Sequence, residues 1–534
     1  MRIPYPERVP LDRVAIFAVV LFLIQILEGT ALYFSMGCAA FLLLAAVAFN
    51  TAGGLTRASG AYVFFYSVLV FIIGVSYKAF LGEPADSNLL DPVTTIAVYV
   101  GGMAAMTAAV ILSRRLSRSA GLLQNVLSES LMYRACVGCI VFSFAGPVMI
   151  SLLGNSGARI GSAFNQLNQL LPLAIIIGVM YEIRRSGGAR SINLPVIVAA
   201  VYYFLAFGLL GYSKQGMLLP LYCWLVPVCA LRFRLSAMQI ISCLVGVLII
   251  FYYLVPYAQY GRRFLSDNAG IVEKTDISIK LLEHPEQTRK SYTEVETGTG
   301  SEFHYYNSSQ GFWDRLQFIS TDDTLINITD RGRVFGLSPI KASFLNVIPH
   351  VFWPNKPSLH FGNLYAHEIG ELPADDTTTG ISFSPTAEAY HLDTWVGVLV
   401  VAPLIWLLLF VVLDSLFGDL RATPWGLLVL AFISHYAPEG GITGAIYVLT
   451  YGTAIFAFCA IFAAWVAPLF AIAVLGRDRR KNLFRPSPAA TRVTPSRNRA
   501  PVITGDGRMI LSSTLKSNAS PSPRGMEVWN DRDT

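Results

Sequence analysis

A chain of 534 residues, 54% hydrophobic and only 14% charged, with a mean hydropathy of +0.53, excludes a soluble fold, in which roughly a quarter of residues carry charge. The net charge of +6 resides in residues 476–534, which hold twelve Arg and Lys against five acids, so the remainder is close to neutral. The long apolar runs do not alternate, which excludes a transmembrane β-barrel and leaves an all-α, polytopic integral membrane protein.

In chain order, apolar segments near 13–28, 30–50, 61–81, 93–112, 131–153, 167–183, 194–212, 215–231, 237–257, 395–417, 423–438 and 446–475 predict about twelve transmembrane helices. The first follows an Arg-containing N-terminus without a small-residue cleavage site, so it is expected to serve as an uncleaved signal anchor. Under this count the clusters Arg2/Arg8/Arg13, Arg114/Arg115/Arg118, Arg184/Arg185/Arg190, Arg232/Arg234 and Arg477/Arg479/Arg480/Lys481 share one side. By the positive-inside rule that side is the cytoplasm, which holds both termini. The acidic turn 82–91 then lies on the trans side of a bacterial inner membrane.

Four regions follow. Residues 1–257 carry about nine spans, 258–394 form one large periplasmic or extracellular loop, 395–475 carry about three spans, and 476–534 form a basic cytoplasmic tail. The tail is Pro, Ser and Arg rich and is expected to be disordered; its charge suits a membrane surface, and no nucleic acid partner is expected. All seven cysteines fall in apolar segments, and the Cys136/Cys139 pair, inside a span, reads as packing and not as a redox or zinc pair.

The large loop is where chemistry is expected, because buried spans have little access to polar substrates. Its first part, 257–310, has no clear period and reads as mobile. Between Gly311 and Thr329 the residues Phe312, Leu316, Ile319 and Leu325 recur at helical spacing, which predicts an amphipathic helix lying on the outer bilayer surface. The third part reads as a short apolar helix and then a Pro-rich aromatic turn, with Pro349, Pro354 and Pro357 fixing the backbone and His350, Lys356 and His360 at headgroup depth. Beyond it, Glu388 and His391 reach the same outer boundary.

The segments WDRLQFIS, IPHVFWPNKP, GYSKQG and NSGARIG, together with a late large loop, resemble the O-antigen polymerases, the Wzy-type oligosaccharide repeat-unit polymerases of bacterial surface polysaccharides, over roughly residues 151–397. The resemblance implies a glycosyltransferase whose substrate is an undecaprenyl-diphosphate-linked oligosaccharide at the outer leaflet. It would transfer the growing glycan onto the next lipid-linked repeat unit, among membrane lipids, with a chain-length regulator and a flippase as possible partners.

Such a transfer must stabilise an oxocarbenium-like transition state and a departing diphosphate. Arg159, Lys214, Arg262, Arg263, Arg315 and Lys356 map to the outer side and are the diphosphate-binding candidates; Arg331 and Arg333 are equally read as ordinary loop charges. Glu388, His391 and His350 are the catalytic candidates for taking the acceptor proton, with His360 also within reach of the turn and His435 and Glu439 as outsiders. Trp313, Phe352, Trp353, Tyr365 and Tyr390 could stack on sugars, although interfacial aromatics are ordinary in membrane proteins. No HExxH, no His/Cys cluster and no cofactor motif occurs, so neither metal nor cofactor is expected. An O-antigen ligase shares the donor and the layout, while a flippase or transporter would show repeats and midspan ionisable residues.

Overall fold

Backbone amides in long apolar stretches find partners only in their own helix, so helix is what these segments must form. The computed structural model describes residues 1–152, 166–264, 270–297, 305–306, 316–348, 353, 361–372, 375–376 and 379–476. Among them the regular structure is helical, with one isolated bridge between Phe383 and Gly440. The chain divides into two units, Met1–Arg485 and Pro486–Thr534, and every described residue belongs to the first.

The first nine helices are α1 (Leu11–Leu27), α2 (Leu32–Ala52), α3 (Ala58–Leu81), α4 (Pro92–Leu116), α5 (Met132–Leu152), α6 (Leu170–Arg185), α7 (Leu194–Leu209), α8 (Lys214–Ala230) and α9 (Ala237–Arg262). The loop contributes α10 (Ile271–Glu283), α11 (Pro285–Thr297), α12 (Ile319–Asp330), α13 (Ser338–Leu345) and α14 (Phe361–Glu368). The last four are α15 (Pro385–Val396), α16 (Ala402–Phe417), α17 (Pro424–Glu439) and α18 (Gly441–Leu475).

A helix therefore stands at each of the twelve apolar segments. Six helical stretches among the described residues are long and apolar enough to cross a membrane: α2, α3, α4, α9, Pro385–Ala422 and α18. Helices α1, α6, α8 and α17 have 16 or 17 residues, about 25 Å at 1.5 Å per residue, against a hydrocarbon core of roughly 30 Å.

Hydrogen bonds gather the basic turns at one end of the bundle. The N-terminal amine donates to Leu235 O, Arg57 to Ser119 O, Trp425 Nε1 to Leu123 O, and Arg421 pairs with Glu7 at 2.5 Å. The 82–91 turn and the loop helices meet at the other end. There the buried Lys78 ammonium donates to Ser87 O at 2.5 Å and lies 4.3 Å from the centroid of Tyr306.

Two loop segments depart from the sequence reading. The first part is not featureless, since it forms α10 and α11, and α10 is docked through a hydroxyl: Tyr212 and Tyr257 both meet Ser278 Oγ, at 2.9 and 2.7 Å. Ile277 and Leu281 of α10 also pack against the cluster of Tyr212, Met217 and Tyr257, whereas α11 is polar along most of its length. Helix α12 is embedded and does not lie on a surface: Ile319, Leu325 and Ile326 are fully buried beside Asp322 and Asp323.

The chain also folds back on itself at α15. Its first turn sits near the middle of α3 and α4, with the Thr386 and Tyr66 hydroxyls bonded and Gly102 facing the Thr386 side chain. The helix breaks at Asp393 and Thr394, where Thr394 takes φ +45°, and the chain then runs back past its own beginning. A Cβ on Gly397 would lie 1.8 Å from Ala389 O, so Gly397→Ala forces the two limbs apart. We expect that variant to lose about 3 kcal/mol of stability, read as a lowered unfolding temperature in detergent.

Candidate functional site

Where the fold-back meets the loop, polar side chains concentrate in an otherwise apolar interior. Ser384 caps α15 by accepting from Ala387 N at 3.2 Å, and its own amide donates to Asp322 Oδ1 at 2.9 Å. Tyr99 donates to Asp322 Oδ2 at 2.5 Å. The adjacent Asp323 accepts from the amides of Leu90 and Asp91 and from the Thr95 hydroxyl, which fastens α12 to the start of α4. Burial pushes the Asp322 carboxyl up to about 6, and it raises Asp323 as well.

Glu388 is 1% exposed and accepts from the Tyr365 hydroxyl at 2.9 Å, the Thr443 amide at 3.1 Å and the Thr443 hydroxyl at 2.9 Å. The two Thr443 donors come from the first turn of α18, so the carboxylate caps that helix against its positive end, while Tyr365 ties it to α14. Gly441, with φ +62°, leaves the room required, since a Cβ there would stand 2.0 Å from Glu388 Oε2. Burial and the Glu388 charge push the Tyr365 phenol up, which keeps its proton available for donation.

His391 lies three residues on, as the sequence suggested for a shared helix. Its Nε2 is 2.6 Å from Glu368 Oε2 and its Nδ1 2.8 Å from Thr329 Oγ1, so both ring nitrogens are occupied. The ring meets Tyr365 edge-on with centroids 5.3 Å apart, which joins the Glu388 and His391 sets into one network. Its outlet to solvent is Glu368, whose side chain is 33% exposed against 0% for His391.

Beside this network lies a cavity of about 250 Å³, lined by Ser343, Asn346 and Val347 of α13 and its end, Phe361 and Gly362 of α14, and Gly440, Thr443, Gly444, Tyr447, Thr450 and Tyr451 at the α17–α18 junction. Hydroxyls, an amide and aromatic rings dominate the lining. Stacked rings continue from it: Tyr447 on Tyr436 at 5.4 Å, and Tyr436 on Phe432 at 4.4 Å. His435 pairs with Glu439, Nδ1 to Oε2 3.1 Å, on the same turn of α17.

The cationic candidates fall into two groups. Lys214, Arg262 and Arg263 come to one corner where α8 begins and α9 ends; Arg262 Nε donates to Tyr212 O at 2.9 Å there. Arg159, Arg315, Lys356, His350 and His360 lie outside the described residues, as do Trp313 and Phe352. Arg331 and Arg333 are exposed beside α12, Trp353 is exposed, and Tyr390 donates to Asp330 at 3.3 Å.

Sequence reasoning passed over Asp322, Asp323, Glu368, Thr443, Tyr436 and Tyr447. One signal was present for the aspartates, which stand at i+3 and i+4 from Ile319 and so on the stripe that Ile326 continues. Cys136 and Cys139 are buried free thiols, Cys136 bonded to Ala174 O, in keeping with a packing role. Compared with known proteins, the chain matches no family model, no curated protein and no solved structure.

Proposed function

We propose that this protein is a membrane glycosyltransferase of the repeat-unit polymerase type, crossing the bilayer about twelve times with the loop end facing outward. It takes a growing oligosaccharide from undecaprenyl diphosphate and joins it to a lipid-linked repeat unit. The observation that carries this reading is the cavity of about 250 Å³ at the loop end, walled by hydroxyl, amide and aromatic side chains. That chemistry suits pyranose rings, whose apolar faces stack and whose hydroxyls need partners. The volume lies just under the roughly 300–1,000 Å³ of sites for larger ligands, a size for one or two sugar residues.

In this reading Lys214, Arg262 and Arg263 provide cations at the outer end of α8 and α9 for the departing diphosphate. The loop helices α13 and α14 supply one wall of the sugar site, and the α17–α18 junction supplies the other.

The test is the glycan ladder of cells lacking this protein, complemented with wild type or with Tyr447→Ala at matched membrane abundance. Wild type is expected to restore the ladder, and Tyr447→Ala to leave mostly single repeat units, because a stacking platform is worth about 1 kcal/mol or more. Full-length polymer accumulating on the lipid carrier in the deletion strain would instead identify a ligase, and an unchanged ladder would dismiss both activities.

A further inference from the structure

Glycosyl transfer to a sugar hydroxyl requires a group that takes the hydroxyl proton as the new bond forms. Such a base needs a nitrogen or oxygen open to the substrate and a partner that orients it. His391 does not meet the first condition, because both ring nitrogens are engaged and the side chain is 0% exposed. Both oxygens of Glu388 are likewise taken, by Tyr365 and by the start of α18. His367 points its Nε2 at Asp376 O, 2.8 Å away.

His435 differs. Its Nδ1 faces Glu439 at 3.1 Å, its side chain is 37% exposed, and it stands edge-on to Tyr436 with centroids 5.2 Å apart. Helix α17 is buried along its first two turns and more, from Pro424 to Ala431, and its surface opens only toward its last turns, at Phe432, Ser434, His435, Tyr436 and Glu439. Tyr436 stacks on Tyr447, a wall of the cavity, and Glu439 directly precedes Gly440, another wall residue.

We propose that His435, oriented by Glu439, is the general base that serves this cavity; the proposal rests on the glycosyl-transfer reading above. An acceptor sugar lying along the ring stack presents a hydroxyl to His435 Nε2, which takes its proton. The hydroxyl oxygen forms a bond to the anomeric carbon of the donor as the bond from that carbon to the diphosphate oxygen breaks. The bonding pair leaves with the diphosphate, and the proton passes from the imidazolium to water. Glu439 holds the ring by accepting from Nδ1–H and offsets the charge that the ring gains.

The experiment uses the full-length protein in lipid nanodiscs with undecaprenyl-diphosphate-linked repeat units extracted from cells that lack it. His435→Ala and His435→Gln are expected to slow polymer formation about 10²–10⁴-fold while unfolding at the wild-type temperature. The wild-type rate falls at acid pH as the base protonates, and in His435→Gln the residual rate should lose that acid limb. The other titratable groups facing this position are Glu439, Tyr436 and, across from α18, Tyr447. Near-wild-type turnover in His435→Gln, or an acid limb that persists in it, would overturn the assignment while leaving the polymerase reading intact. No polymer from the wild-type protein would remove that reading itself.

Discussion

Glu388→Ala is expected to be the most damaging single substitution in the network, costing about 4 kcal/mol. Removal of the carboxylate orphans the Tyr365 hydroxyl and the Thr443 amide and hydroxyl, each buried donor costing roughly 1–3 kcal/mol when unpaired. Against a typical total of about 5–15 kcal/mol, such a loss leaves little folded protein in the membrane. Glu388→Gln keeps one acceptor oxygen and the volume, so it should unfold at a lower temperature than wild type yet remain purifiable. It also separates two roles for this residue: a folded Glu388→Gln that retains turnover marks a helix cap, whereas one that is folded and inactive marks a group in the chemistry.

The second large effect is a pH dependence carried by Asp322. Its folded pKa of about 6 lies above the ordinary 3.8, so the unfolded chain releases this proton first as pH rises. Stability from this group is therefore greatest below pH 4, falls between pH 4 and 6, and is flat above. The difference of about two units corresponds to about 3 kcal/mol. Asn at this position does not titrate. The stability of wild type relative to Asp322→Asn, measured by thermal unfolding in detergent, should therefore decline by about that amount from pH 4 to pH 7. A difference that stays constant with pH would contradict the burial of this carboxyl. Asp323, the nearest other acid, shifts in the same direction and is present in both proteins.

That the long apolar segments form helices was legible, because twenty-odd apolar residues leave the backbone one choice. The helices α2, α4 and α9 begin and end close to where the apolar runs do. The fold-back at Asp393 and Thr394 was not legible. Neither residue is Gly or Pro, and a β-branched residue at positive φ is held there only by its surroundings. The same limit applies to α10, whose position depends on Tyr212 and Tyr257 meeting Ser278 from other parts of the chain.

For the site, residue type proved easier to read than environment. Glu388 and His391 stand out as ionisable groups beside a span, and the structure gives each its own hydrogen bonds and joins the two sets through the ring contact of Tyr365 with His391. What the sequence does not carry is which oxygen or nitrogen remains open once Tyr365, Thr443, Glu368 and Thr329 have taken theirs. Those partners are brought in from three helices, α12, α14 and α18, by tertiary packing, and no local spacing relates them to α15.

Reconstitution tests the proposed extension of a lipid-linked glycan. Purified full-length protein in proteoliposomes would be supplied with lipid-diphosphate-linked repeat units as the sole donor and acceptor, and the products resolved by mass spectrometry. The expected product is a ladder of lipid-linked oligomers differing by one repeat unit, with free undecaprenyl diphosphate released once per linkage. Repeat units that stay single, with no lipid diphosphate released, would contradict it.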